Sequence, residues 1–397
     1  MKKIAERIKS LISSVKTNWL RNEGGERLGI CFAAIIMLFF VANIIVPDKD
    51  FSAQENRELQ KFPKLSVSEY TSGRFETKLE NYVNDQFVLR NVFVRLKSAI
   101  DVSAGSVNSN DVWKGKDGYL MEDVVVPDNK VIDADIKALT AFKKKYKKMP
   151  MHFLLAPTAV NIYSDKLPNG VTTEEQNKYI DMFYEKLGTT GIEAVDVREE
   201  LQAALSDNQL FYKTDHHWTT DGAKVAFDKY AKTVGLAEKN WELYEVKSDF
   251  VGSLASKSGF ASGSADVIKL ATAEDGLNSV IYYPDSKEKT TEYYKLKNLK
   301  KKDAYTVFSD GNHPIYTIKT PTAQNRRLLL VKDSYANSMI PFLAQYYREI
   351  VVVDPRYYFD NIEIMMMSED ISEVLFLYNA NTFFGEDALS LMLSDAE

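Results

Sequence analysis

Short apolar runs punctuate the C-terminal part of this chain: "MHFLLAP" at 151–157, "EAVDV" at 193–197, "RLLLVKD" at 327–333, "EIVVVDP" at 349–355 and "EVLFLYN" at 373–379. Runs this short, lacking polar alternation, predict strands buried on both faces, as in a parallel sheet. Between them, "TTEEQNKYIDMFYEKLG", "DGAKVAFDKYAKTVG" and "SMIPFLAQYYR" carry apolar groups at helical spacing. The alternation predicts a three-layer α/β domain over 111–397, with a parallel sheet and its ligand site beyond the carboxyl ends of the strands. From about 240 to 325 the alternation breaks down. "VKSDFVGSLASKSGFASGSADVI" and "YYKLKNLKKKDAYTVF" read as an insertion with some strand character.

The pattern is different ahead of this domain. Phe75, Leu79, Tyr82, Val83, Phe87, Val92 and Leu96 recur at helical spacing among charged residues, which predicts a helical arm over 47–110. Before it, Leu28–Val46 contains no charged residue and one polar side chain, Asn43. At about 1.5 Å per residue this stretch spans roughly 28 Å, close to a bilayer core of about 30 Å. A cleaved signal peptide or a buried core helix would also be apolar. This run is too long for the first, no small-residue cleavage site follows it, and its unbroken apolarity argues against the second. Residues 1–27 hold seven Lys/Arg against three Asp/Glu. The positive-inside bias then predicts a cytoplasmic N-terminus, a single-pass anchor in the cell membrane and an extracellular domain.

Composition narrows the partners. The chain has 397 residues and a formal charge of −6, and the +4 of residues 1–27 leaves the remainder at about −10. An acidic domain is a poor match for nucleic acid. Cys31 is the single cysteine, which excludes an intrachain disulfide and a Cys-based zinc site.

Among four histidines, two stand together in "FYKTDHHWTTDGA" at 211–223. Three readings compete there: an acid–base element, a metal site, or the polar start of a helix. If the segment is extended, Asp215 and His217 share one side and His216 points away. Asp215 could then hold one imidazole nitrogen of His217 and leave the other for a nucleophile. Adjacent histidines that diverge do not suit one metal ion, and no HExxH spacing is present. Thr219 or Thr220 can cap the following helix, with Trp218 packing where it starts. His152 opens a strand, which suits a structural role, while His313 falls in the polar turn "SDGNHP". Ser334 follows "RLLLVKD" at a strand-to-helix turn, where free N–H groups favour an oxyanion. The plainer alternative makes Asp333 or Ser334 an N-cap. Ser338, one turn on, is the nearest competing hydroxyl. Asn379 and Asn381 end the last strand and are candidate oxyanion donors, although Asn is also a favoured loop residue.

"TDHHWT" resembles the motif of the DHHW proteins, which are similar to the periplasmic alginate O-acetylation proteins with their D-x-H-W version. "FSAQENRELQKFP", "FETKLENYVNDQFVLRN", "GKDGYL", "FVGSLASKSG" and "VFSDGNHP" extend the resemblance over nearly all of the chain after the anchor. The resemblance implies an SGNH-hydrolase-like fold with Asp-x-His ahead of the serine, as Asp215 and His217 precede Ser334 here. "LVKDSYANS" stands at the nucleophile block with Lys332 and Asp333 in place of the usual Gly-Asp. "YNANT" resembles the block that donates the oxyanion asparagine, which implies Asn381 in that role with Asn379 at the glycine position. The implied activity is O-acetyl transfer to an extracellular polysaccharide through a Ser-His-Asp triad, without a cofactor. A multi-span membrane O-acyltransferase would supply the acetyl group, because acetyl-CoA is cytoplasmic and a single span cannot carry acetyl across. The same triad would serve a carbohydrate acetylesterase, and a vestigial one would leave a glycan-binding accessory protein.

Overall fold

The computed structural model describes residues 24–49, 51–52, 57–63, 65, 70, 74–260, 263–273, 276, 278–358 and 360–394. Most of the basic segment 1–27 and part of "FSAQENRELQKFP" lie outside them. The described residues form two compact units, the first within 24–96 and the second within 97–394.

The first unit contains α1 (Gly24–Ile45), α2 (Arg74–Gln86) and the opening turns of α3 (Arg90–Ser103). Among the described residues, Arg27–Ile45 is the one helical stretch long and apolar enough to cross a membrane, and none of it is buried within the chain. The apolar positions predicted for the arm fall on α2 and α3 except Phe87, which lies between them, and Val83, Phe87, Val92 and Leu96 are exposed.

The second unit is built on an eight-stranded sheet. In chain order its strands are β1 (Met151–Ala156), β2 (Glu193–Ala194), β3 (Val280–Tyr283), β4 (Glu288–Thr290), β5 (Ile315–Lys319), β6 (Arg327–Lys332), β7 (Glu349–Val353) and β8 (Glu373–Asn379). Across the sheet they run β4-β3-β5-β7-β6-β8-β1-β2. The five strands from β7 to β2 are parallel, as their apolar runs predict. The insertion corrects the expectation of a wholly parallel sheet. It supplies β3, β4 and β5, which extend the sheet antiparallel from β7. Exposed and buried residues alternate along β3, so its faces differ and no continuous apolar run marks it. A second hairpin, Trp241–Phe250 with Asp266–Ala273, stands outside the sheet.

Alternation in the central strands fills two cores. Leu154, Leu328, Leu330, Ile350, Val352 and Leu375 pack with Phe227 and Tyr230 of α6 (Thr220–Thr233) and Met339 and Ile340 of α7 (Ala336–Leu343). Phe153, Leu329, Val331, Val351 and Phe376 face the other way, onto Leu139 and Phe142 of α4 (Asn129–Lys145) and Ile180 and Phe183 of α5 (Gln176–Leu187). Burying such side chains contributes about 1.5–3 kcal/mol each, which makes the central strands a rigid platform. β6 and β8 end side by side on that platform, and Ser334 follows the end of β6.

Candidate active site

Ser334 sits two residues before α7, in the turn that leaves β6. Asp333 braces that turn, while the N-cap is Tyr335, which makes no side-chain capping bond. Asp333 Oδ1 accepts the Tyr335 N–H at 2.9 Å, while Oδ2 accepts the backbone and side-chain N–H groups of Asn379 at 2.8 and 2.6 Å. One buried carboxylate thereby ties the ends of β6 and β8 together. The Ser334 hydroxyl remains available and meets His217 Nε2 at 2.8 Å. No hydrogen-bond partner engages the Ser334 N–H among the described residues.

The loop carrying His217 is a tight excursion, not an extended strand. An antiparallel bridge between Phe211 and Trp218 closes it, and the Tyr212 N–H donates to the His217 carbonyl. Inside, Asp215 Oδ1 accepts His217 Nδ1 at 2.6 Å and the His217 backbone N–H at 3.1 Å. The Ser253 N–H donates to Asp215 Oδ2 at 2.8 Å. A carboxylate only accepts, so His217 Nδ1 carries the proton and Nε2 presents its lone pair to the serine hydroxyl. Thr219 caps α6 by accepting from the Gly222 N–H, and the buried Trp218 donates to the Tyr335 carbonyl and to Ser338 Oγ.

Burial acts on both charged partners. It would raise the Asp215 carboxyl, but electrostatic attraction to the His217 and His216 rings and the bonds to His217 and Ser253 outweigh it and hold the group well below the usual carboxylate range. Burial, and next the charge of His216, push the His217 imidazole down to about 4 against the pull of Asp215. At neutral pH the pair is therefore an ionised carboxylate holding a neutral imidazole, the resting state of a general base.

Sequence reading placed His216 facing away from His217, and the structure corrects this. The loop is turned, so the two rings lie 3.8 Å apart between centroids, and His216 Nδ1 bonds Ser253 Oγ at 2.7 Å. Ligand atoms of Asp215, His216 and His217 consequently fall within 4.8 Å of one another. An ion there would have to displace the bonds that already join His217 to Asp215 and His216 to Ser253. The two asparagines are likewise committed. The Asn379 amide donates to Asp333 and Thr382, and the Asn381 amide donates to the Asp123 carbonyl at 2.7 Å. The expectation of an oxyanion donor in Asn381 or Asn379 therefore meets N–H groups that are bonded elsewhere. Ser338 is fully buried and holds Tyr305 and Trp218. His152 lies near Glu193, and His313 bonds Asp285, so neither joins the Ser334 cluster.

Several neighbours were not identified from the sequence. The Tyr305 ring stacks on His217 at 3.7 Å and 10°, and its hydroxyl reaches Ser338. Gly252 lies against Asp215, where an added Cβ would stand 2.3 Å from the Asp215 Cβ. Asp266 accepts from Lys213 N, Thr214 N, Thr214 Oγ1 and Gln209 Nε2, which fixes the base of the histidine loop. Under the serine, Lys332 is buried beside Asp354, which also takes a bidentate Arg356. The stretch "FVGSLASKSG" at 250–259, which carries part of the family resemblance, was the available signal for Gly252.

With this geometry in view, comparison with known proteins is informative. Residues 112–315, just over half of the chain, match the family described as SGNH hydrolase-like domain, acetyltransferase AlgX. A probable alginate O-acetylase AlgJ of Pseudomonas syringae pv. tomato is 27% identical over 179 residues, 42% of this chain and 45% of that protein. A second AlgJ, from Pseudomonas fluorescens, is 25% identical over 170 residues, 41% of this chain and 43% of that protein. The chain thus spans a little under half the length of the curated relatives it matches. Among solved structures, a DHHW family protein from Eubacterium siraeum aligns with a TM-score of 0.61 at 22% identity, over 72% of this chain and 96% of that one. PatB1 of Bacillus cereus with a sulfonyl adduct aligns at 0.59 and 20% identity, over 71% and 98%. These two likenesses establish the SGNH-like α/β fold. The chain belongs to the SGNH hydrolase-like AlgX acetyltransferase family.

Proposed function

We propose that this protein is an O-acetyltransferase acting on an extracellular polysaccharide through Ser334, His217 and Asp215. The observation that carries the reading is the continuous chain from Asp215 Oδ1 to His217 Nδ1 at 2.6 Å and from His217 Nε2 to Ser334 Oγ at 2.8 Å. Ser334 Oγ attacks the acetyl carbonyl of a donor ester while His217 Nε2 takes its proton. The tetrahedral intermediate collapses to acetyl-serine, and the proton passes to the leaving alkoxide. A sugar hydroxyl then attacks the acetyl-serine, giving its proton to the same nitrogen. Asp215 orients the imidazole and stabilises the imidazolium formed in each step. The unpartnered Ser334 N–H is the oxyanion donor, standing in for the committed asparagine amides. The acetyl group comes from a multi-span membrane O-acyltransferase, α1 is a single-pass anchor with a cytoplasmic N-terminus, and residues 111–397 are the catalytic domain beyond a membrane-proximal arm.

Incubation with an acetyl-donor ester and a panel of oligosaccharides, read by mass spectrometry, tests this reading. We expect about 42 Da added to the peptide containing Ser334 and to one sugar class. Ser334→Ala should fold and fall by several powers of ten in rate. Undiminished transfer by the folded variant would refute the triad. Acetyl loss to water with no sugar product would make the protein an esterase.

A further inference from the structure

We infer that the elbow between α2 and α3, Phe87–Leu96, is embedded in the acyl-chain region of the leaflet on the C-terminal side of the anchor. The inference rests on α1 being the membrane span proposed above. Its basis is where the elbow touches that span. The Phe39 ring lies 5.7 Å from both Phe87 and Phe93, and these two rings lie 5.9 Å from each other. The Val88 N–H donates to Asn43 Oδ1 at 2.9 Å, while the Asn43 amide donates to the Phe39 carbonyl.

Depth follows from these contacts. Phe39 lies seven residues before Val46, the last apolar residue, which at about 1.5 Å per residue is roughly 10 Å inside the apolar boundary. Moving the boundary inward to spare the elbow fails, because Leu28–Phe39 alone would span only about 18 Å of a core of about 30 Å. If α1 spans, Phe87 and Phe93 are in lipid.

The elbow's surface suits that environment. Leu89, in the turn before α3, and Val92 and Leu96 are 57%, 57% and 54% exposed, and within α3 Val92, Phe93 and Leu96 follow one another at helical spacing as an apolar stripe. Arg90 and Arg95 fall within the elbow, with stems long enough to carry their charges to the headgroups, while Lys97 just beyond it bonds Asp101 at 2.9 Å. Asn43, the one polar side chain of the span, has both amide functions bonded, so its presence in hydrocarbon leaves no orphaned polar group. Interfacial helices bury an apolar face about 5–10 Å into the same zone.

The test uses the full-length chain with Cys31→Ser and one new cysteine at Ile36, Leu89, Leu96 or Ser286, labelled with a nitrobenzoxadiazole fluorophore. Each protein is reconstituted into phosphatidylethanolamine–phosphatidylglycerol vesicles containing doxyl-labelled lipid. Labels at Ile36, Leu89 and Leu96 should each lose at least about half of their fluorescence to the doxyl lipid, and the label at Ser286 should be unaffected. Quenching at Ile36 with Leu89 and Leu96 behaving like Ser286 would overturn the embedded elbow and leave the anchor standing. No quenching at Ile36 would remove the anchor, and the elbow proposal with it, while acetyl transfer by Ser334 would be untouched.

Discussion

The paired histidines divide their work by what each nitrogen touches. His217 has both nitrogens committed, to Asp215 and Ser334, so His217→Ala should fall to near background in acetyl transfer. His216 touches Ser253 and acts on its neighbour through charge, being the second cause, after burial, of the depressed His217 imidazole. As the base of the proposed triad, His217 must be neutral to accept the serine proton, so activity should be present above its value of about 4 and be lost as pH falls through it. Removing a positive neighbour makes protonation easier. His216→Ala should therefore move the acid limb of kcat/KM upward, which a pH–rate profile on an acetyl ester will read. An unmoved limb, or one displaced downward, would contradict the electrostatic role. That Asp215, His217 and Ser334 would meet was legible in the sequence because their chemistry is distinctive and Ser334 lies in a turn after an apolar run. The direction of His216 was not, since a period of two holds only for extended backbone and the loop is bent between Phe211 and Trp218.

At the level of elements, the histidine loop is held by strands that the sequence does not connect to it. Asp266 starts one strand of the outer hairpin and is almost wholly buried, yet it accepts four hydrogen bonds from residues 209–214. Asp266→Ala would leave these donors without an acceptor, and a buried unsatisfied donor costs about 1–3 kcal/mol. We expect about 3 kcal/mol lower stability in urea and a disproportionate loss of kcat, as the loop no longer presents His217 to Ser334. Asp266→Asn, which keeps an acceptor oxygen, should recover part of both. Full kcat in a folded Asp266→Ala protein would show that the loop holds itself. The same distance along the chain explains which elements were legible. Four of the five parallel strands declare themselves by apolar runs, because burial on both faces leaves a local trace, whereas β2 is an exposed edge strand of two residues. Tyr305 stacking on His217, Gly252 against Asp215 and the antiparallel course of β3 to β5 depend on partners tens of residues away. Their local sequence is mixed and polar, and nothing within it specifies what it packs against.

The whole molecule balances buried groups that favour opposite ends of the pH scale. His217 is neutral in the fold, at about 4 against about 6.5 when free, so its contribution is fully present above about 6.5 and disappears as pH falls through about 4. Asp135, in α4, is displaced the other way. Burial raises its carboxyl to about 7, opposed by its bonds to Ser390. Its Oδ1 accepts the Ser390 N–H at 3.0 Å, where the C-terminal helix Ala388–Ser394 meets α4, while Oδ2 is buried without a partner. Glu386, nearby in sequence, is also pushed up to about 7 by burial. A carboxyl raised in the fold binds more protons than in the unfolded chain, so its stabilising effect is present at low pH and is lost as pH rises through about 7. Asp135→Asn keeps the oxygen for Ser390 and removes the charge that must otherwise be buried at alkaline pH. The variant should be more stable than the parent at pH 8 by something on the order of 3–4 kcal/mol, and only slightly more stable at about pH 4, near the unfolded carboxyl's own value, where the parent binds its proton in both states. Urea titrations of both proteins at the two pH values will check this. An equal shift at both would assign the effect to packing, and a loss at pH 8 would mean that Asp135 is ionised and paired in the folded protein.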